Sequence, residues 1–524
     1  MSSLKSKIPV ILILAIAVLG QIPLISLLTS PPAGYTSLGG SPLLSPSDIN
    51  VYLGAMKEGQ LGHWLYTNNY TTIDHAKILV FSLYILLGHV SKWTGVAPSI
   101  VFILAQFFSA ILLLNSIWLL GSSFFSRKKQ RLLYFFVALF VTGYGWMILL
   151  LINAVPFLNF AKSICSGRCF SIDLWTHDAT VFPLLSTVPH ITLTAALMVF
   201  SVLAAANYLR SHDKKSAFFL ILLPTLIGLL SAYHLLIIFA FNSLIIITNL
   251  KKLKKYRALI FSTILVLARV LYLSFGLNAH ASFSNWIKAS HVYSPPFPSF
   301  LIGWGGLFLA GYFGLSRLPK TKLSSLVKMI SSLALVFAIF PSSIARNFVL
   351  TTPIFLAIFA TFGLASLSFK KNFSKIIVIL TILATIDSFF IYTSAFSINK
   401  QLKNDPSFGL FFLANPEKEG LDWLGANSKE DEGVITTYRL GDIIPAYTGN
   451  KVFWGHWSLS GRSENQYRYG WVIEAKNQDE VLGFLRSNNL NWLITPANIN
   501  LHQRYLKQEF SNSVLSIYKI ETPQ

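Results

Sequence analysis

Ahead of Asn399 the chain carries only seven carboxylates: Asp48, Glu58, Asp74, Asp173, Asp178, Asp213 and Asp387. A carboxylate can take the proton of an attacking hydroxyl, ligate a hard cation or pair with a base. Five of the seven fall in two stretches, 30–75 and 154–187. Three groups able to answer an anion, His190, His234 and Arg346, stand at the edges of apolar runs. Arg269 and Asp387 lie inside such runs, each 11 residues from its run's start. At about 1.5 Å rise per residue they reach the same depth. An ion pair between them is expected, because an unpaired charge there costs about 2.5–3.5 kcal/mol.

The elements that hold these groups follow from composition. The 524 residues are 53% hydrophobic and 12% charged, against about 25% charged in a soluble domain. Abundant Phe, Leu and Ile exclude disorder, and recurring apolar runs near 20 residues exclude a single soluble domain. Eleven spans are expected, at roughly 8–29, 99–122, 132–153, 188–208, 216–232, 234–250, 258–276, 299–316, 324–343, 348–368 and 376–397. The first is expected to be a retained anchor, since no A-x-A cleavage site follows it.

The formal net charge is +21, and its distribution decides its meaning. The first 398 residues hold 29 basic and 7 acidic side chains; the remainder holds 13 and 14. Of the 29, 21 cluster in six breaks between apolar runs, near residues 5, 129, 212, 254, 322 and 372. The positive-inside rule turns those breaks to the cytoplasm. The excess is therefore an orientation signal, and a nucleic-acid surface is excluded. A protein of the cytoplasmic (inner) membrane is expected, with its N-terminus in the cytoplasm. Counting 76–93 as a span would invert every later loop, so that segment is read as a helix along the outer interface.

The fold class expected is a polytopic α-helical membrane domain, residues 1–398, followed by a small extracytoplasmic α/β domain, 399–524. The first carries outer loops 30–98 and 154–187. In the second, GLDWLGANS and DEVLGFLRSN read as helices, and GVITTY, KVFWG, NWLITP and SVLSIYKI as strands. Cys165 and Cys169 are the only cysteines. Their outer position permits a disulfide, and they lack partners at metal spacing. Asn69-Tyr70-Thr71 matches a glycosylation triplet too common to carry meaning.

The first outer loop places Asp48 just after the first span, at the start of a helix expected over 48–60 and ended by Gly59 and Gly62. With this arrangement the chain resembles the type C glycosyltransferases, multispan enzymes that use polyprenyl-phosphate-linked sugars. More narrowly it is similar to a group of bacterial members. The matching elements are Asp48 with Tyr52-Leu53 and Gln60, then Asp173-Leu174-Trp175 and Pro189-His190. Pro341 with Arg346 and Phe348, and Gly455-His456-Trp457, complete the set. The family commonly shows two adjacent basic residues where this chain has Ala345-Arg346.

The resemblance implies a polyprenyl-phosphate-sugar donor, a glycan, lipid or protein acceptor, and an Asp as general base. Asp48 is the matching residue; its other reading is a helix cap. Arg346 is the first choice for the donor phosphate, with His190 and His234 behind it; their other readings are an interfacial Arg and helix-end histidines. Asp173, Asp178 and His456 are acceptor or metal candidates, set against ordinary loop acids and core packing. The superfamily contains metal-using and metal-free members, so a divalent Mg or Mn ion stays open. Two competing classes are a transporter or flippase of lipid-linked glycans and a non-catalytic membrane assembly protein. A transporter would show charged or broken-helix features at the midplane of paired repeats, and no internal repeat is found.

Overall fold

The computed structural model describes residues 2–155, 170–279, 281–289, 293–340, 342, 344–367, 372–405, 410–460, 465–499 and 501–521. Cys165, Cys169 and Pro341 lie outside the described residues. By contacts the chain forms two units. The first is Met1–Pro23, Ala105–Leu273 and His291–Ser397; the second is Leu24–Leu104, Ser274–Ser290 and Ile398–Gln524. The expected division at residue 398 left 30–98 with the spans, whereas by packing that stretch belongs with the C-terminal region.

Eight described helices are long and apolar enough to cross a membrane: Pro9–Thr29, Pro98–Phe124, Lys128–Ala154, Pro189–Ser211, Leu253–Asn278, Lys322–Ile339, Ala345–Ser366 and Asn372–Asn404. A further crossing is the pair Phe297–Gly303 and Gly305–Leu315, bent by 83°. The expected spans five and six are the helices Lys214–Leu230 and Ala232–Ile247, of 17 and 16 residues, parted by Ser231. Each of the eleven expected runs thus carries helix, and the chain is an integral membrane protein. Local signals set the ends. Asp213 accepts from Ser216 N at 2.7 Å, and Thr321 Oγ1 accepts from Ser324 N at 3.1 Å.

Three spans of the first unit are broken. The 128–154 span parts at 141–144, the 297–315 span at Trp304, and the 372–404 span at 384–385. Backbone groups freed inside a bilayer must find partners within the protein. Here the breaks satisfy one another: Thr142 N donates to Ala384 O at 3.0 Å, Tyr144 N to Ile302 O at 2.9 Å and Gly306 N to Thr142 O at 3.1 Å. The helix Gly305–Leu315 packs directly on Thr352–Ser366. A Cβ on Gly314 would lie 1.8 Å from Phe359 O, and one on Gly363 1.9 Å from Ala310 O. Small residues let the two backbones touch, the usual route to tight helix association in lipid.

In the second unit the helix Pro46–Leu61 packs on Ser82–Thr94. The latter has 13 residues, about 20 Å of helix at 1.5 Å per residue, against a hydrocarbon core of about 30 Å. It is too short to cross, in keeping with its reading as a helix outside the spans. The C-terminal region holds a five-stranded sheet in the order Lys451–Val452, Gly433–Ile435, Leu490–Pro496, Leu515–Ile520, Leu506–Ser511. The first three strands are parallel and the last two pairings antiparallel. Val434, Trp492, Ile494 and Ile517 fill one face's core with Leu421, Leu424 and Ile444. The sheet strand Leu506–Ser511 and the helices Tyr438–Tyr447 and Asn465–Glu474 were not expected from the sequence.

Candidate active site

Asp48 stands in the first turn of Pro46–Leu61. Pro46 opens the helix, and Ser45 occupies the cap without a side-chain bond. Asp48 therefore does not occupy the cap position of its other reading. Ser47 is buried, and its hydroxyl donates to the carboxylate of Asp442. Asn50 Nδ2 donates to the other Asp442 oxygen at 2.7 Å, and Tyr70 Oη donates to the Asp442 carbonyl at 3.2 Å. Burial pushes the Asp442 carboxyl up to about 6, while nearby His456 and the donors Ser47 and Asn50 pull it down. Asp442 is thus engaged on both oxygens. Asp48 is the accessible acid of the cluster, its side chain 43% exposed. The helix N-terminus favours its negative charge.

His456 lies beside it, with Nε2 3.8 Å from Asp48 Oδ1. The imidazole is buried between Tyr70, at 5.3 Å between ring centroids, and Trp457, at 5.7 Å. One turn beyond Asp48, Tyr52 stacks on Tyr84 at 4.5 Å and meets the edge of Phe81. An acid flanked by aromatic faces suits a sugar hydroxyl, since the rings cover apolar C–H faces. Asn69 of the glycosylation triplet is buried, donating to Glu58 at 2.7 Å and Gly449 O at 3.0 Å.

The first unit gathers the anion candidates. The turns His177–Ala179 and Ala345–Val349 pack together, and Ala345–Val349 also meets Ala232–Ile247. Among the described residues Arg346 Nε is buried and meets no acceptor. Its charge reaches Asp178 and Tyr233. Burial raises the Asp178 carboxyl, and Arg346 partly offsets that. His234 is held by Ser231 Oγ at Nδ1, 2.7 Å, and lies against the Asn347 backbone. His190 lies within electrostatic reach of His234. Asp178, His190, Tyr233, His234 and Arg346 therefore form one group. Asp48 and His456 belong to the other unit.

One expectation is corrected. Asp387 does not pair with Arg269. Asp387 accepts from Gly145 N at 2.7 Å and Trp146 N at 2.6 Å, capping the helix after the 141–144 break. Arg269 donates from Nε to Gly228 O at 3.0 Å and lies over the Tyr272 ring at 5.0 Å. Equal depth fixed the height of the two groups and not their direction around the helix. Asp173 is buried, bonded to Ser171 and Leu174 N, and faces Asp387. Among the described residues no three His, Cys, Asp or Glu side chains converge as a metal site. Asp442 was missed. Its signal was a lone acid inside the apolar run Leu440–Ile444 of a helix not foreseen.

No family model matches the sequence, and a search of curated proteins found no match. Solved structures do match. ArnT from Cupriavidus metallidurans in the apo state aligns at a TM-score of 0.51 with 10% identity, covering 98% of this chain and 99% of that one. The chain has the type C glycosyltransferase fold. The same ArnT bound to undecaprenyl phosphate aligns at 0.48. The archaeal oligosaccharyltransferase AglB from Archaeoglobus fulgidus, in complex with an inhibitory peptide and a dolichol-phosphate, aligns at 0.48 with 13% identity, over 93% of this chain and 69% of that one. The type C fold extends over nearly the whole sequence, so spans and C-terminal region both belong to it.

Proposed function

We propose that the protein is a membrane glycosyltransferase that moves a sugar from a polyprenyl-phosphate donor to an acceptor hydroxyl on the extracytoplasmic side. The observation that carries this reading is Asp48: an accessible carboxylate at a helix start after the first span, beside a buried histidine, while its neighbour Asp442 is engaged. Asp48 takes the acceptor's proton as the new C–O bond forms at the anomeric carbon. The bond from that carbon to the phosphate oxygen breaks, and the electron pair leaves with the polyprenyl phosphate. Within the first unit, Arg346 with His190 and His234 is the group whose chemistry suits a lipid phosphate. No step is assigned to a metal. The acceptor's class is a glycan, a lipid or a protein. The basic loops support an orientation in the inner membrane with the N-terminus cytoplasmic and the C-terminal region outside.

A transporter reading gains no support from the broken spans, because their backbone groups bond one another and are not held open for a passenger. The test is turnover by membranes given a panel of undecaprenyl-phosphate-linked hexoses and pentoses, read as released undecaprenyl phosphate. Asp48→Asn is expected to fold and to lose about 10²–10⁴-fold in rate. Undiminished release from that variant would refute the assignment.

A further inference from the structure

The segment carrying His456 is built with unusual constraint. Ser460 Oγ accepts from Gly455 N at 2.9 Å and from His456 N at 2.8 Å, and Ser460 N donates back to His456 O at 3.2 Å. A Cβ on Gly455 would lie 2.1 Å from the Gly441 carbonyl, and one on Gly441 2.1 Å from Trp454 O. Only two glycines allow this contact, which locks the turn onto the helix that bears Asp442. Within the turn, His456 Nδ1 accepts from Ser458 N and Leu459 N, both at 3.2 Å. A nitrogen that accepts two amide protons carries none of its own, so the neutral ring holds its proton on Nε2.

That Nε2–H is buried and, among the described residues, has no hydrogen-bond partner. The His456 side chain is 1% exposed and fixed, whereas Asp48 is 43% exposed. Burying an N–H without an acceptor is costly, and Asp48 Oδ1 stands 3.8 Å away. A small rotation of the Asp48 side chain closes the gap.

We propose that His456 is a positioning residue for the base: its Nε2–H is donated to Asp48 Oδ1, fixing the carboxylate's rotamer. This rests on the reading of Asp48 as the base. Asp48 Oδ2 is then the oxygen left to take the acceptor's proton. The C-terminal region becomes part of the chemical step through a residue built for it. Among the described residues, the other titratable groups whose charges reach this cluster are Asp442, Tyr70, Tyr438 and Tyr66.

Two substitutions separate the roles of the two ring nitrogens. His456→Asn keeps an acceptor for the Ser458 and Leu459 amides and removes the donor; His456→Gln keeps a donor at the position of Nε2. The assay is undecaprenyl phosphate release from the lipid-linked sugar that wild-type membranes turn over. For His456→Asn kcat is expected to fall about tenfold with little change in KM. His456→Gln is expected to restore kcat. In an Asp48→Asn background, His456→Asn should cost nothing further. Should His456→Asn fail to fold, Ser460→Ala, which loosens the turn and keeps the ring, must lower kcat in the same way with KM unchanged. An unchanged kcat in a folded variant overturns the proposal. If Asp48→Asn is inactive while His456→Asn matches wild type, only the role of His456 falls. If Asp48→Asn is fully active, the reading of the base falls first.

Discussion

Replacing Asp387 by Ala should destabilise the membrane-spanning unit severely. The carboxylate accepts from Gly145 N and Trp146 N at 2.7 and 2.6 Å, and it is fully buried. Ala leaves both amides without an acceptor inside the protein. Each orphaned group costs about 1–3 kcal/mol, so the loss is about 2–6 kcal/mol. Asp173, which faces Asp387, loses that neighbour as well. Asp387→Asn keeps one acceptor oxygen and offers its amide to Asp173, which limits the loss to about 1–3 kcal/mol. The assay is the apparent unfolding temperature of purified protein in detergent, by tryptophan fluorescence. One kcal/mol moves a domain of 150–250 residues by about 2–4 °C, so Ala should fall by several degrees and Asn by less. An Asp387→Ala protein within one degree of wild type would refute the capping argument. So would a larger loss in Asn than in Ala.

Asp442 gives a pH signature of the opposite sense to ordinary acids. Its carboxyl is raised from 3.8 to about 6, so it favours the fold most when protonated. That contribution is full below pH about 3.8 and is lost as pH rises through about 6. Asp442→Asn should therefore remove a pH-dependent loss of a few kcal/mol between those limits, read as a flatter stability profile than wild type over pH 4–6. Gly314→Ala and Gly363→Ala should each prevent stable accumulation of the protein, because a Cβ falls 1.8 or 1.9 Å from a backbone oxygen. Wild-type yield and unfolding temperature in either would contradict the close packing of those helices.

Much of the architecture could be read from the sequence, for reasons specific to membranes. Apolar runs and basic clusters are imposed by the bilayer itself, so each expected span has its helix. The same apolar runs concealed the breaks. The breaks carry Gly143, Gly145, Gly303, Gly305 and Gly306 and the acid Asp387, but short glycine pairs inside long apolar runs do not say which runs part, and the partners of the freed backbone groups do. The Arg269–Asp387 pairing failed because position along a helix is legible and rotation about it is not. Asp48 was singled out by its place after the first span. What surrounds it was hidden, since Asp442 and His456 lie about four hundred residues further on and meet it through tertiary packing.

The cap on the 128–154 span has a consequence for how the protein is made. Its acceptor, Asp387, lies 242 residues after Gly145. During synthesis the broken span enters the membrane long before its cap exists, and no earlier part of the chain supplies those two bonds. The first unit therefore cannot close until the 372–404 span arrives. A chain that stalls before that point leaves the amides of Gly145 and Trp146 without this acceptor inside an apolar segment. The last span of the first unit thus completes one of its earliest.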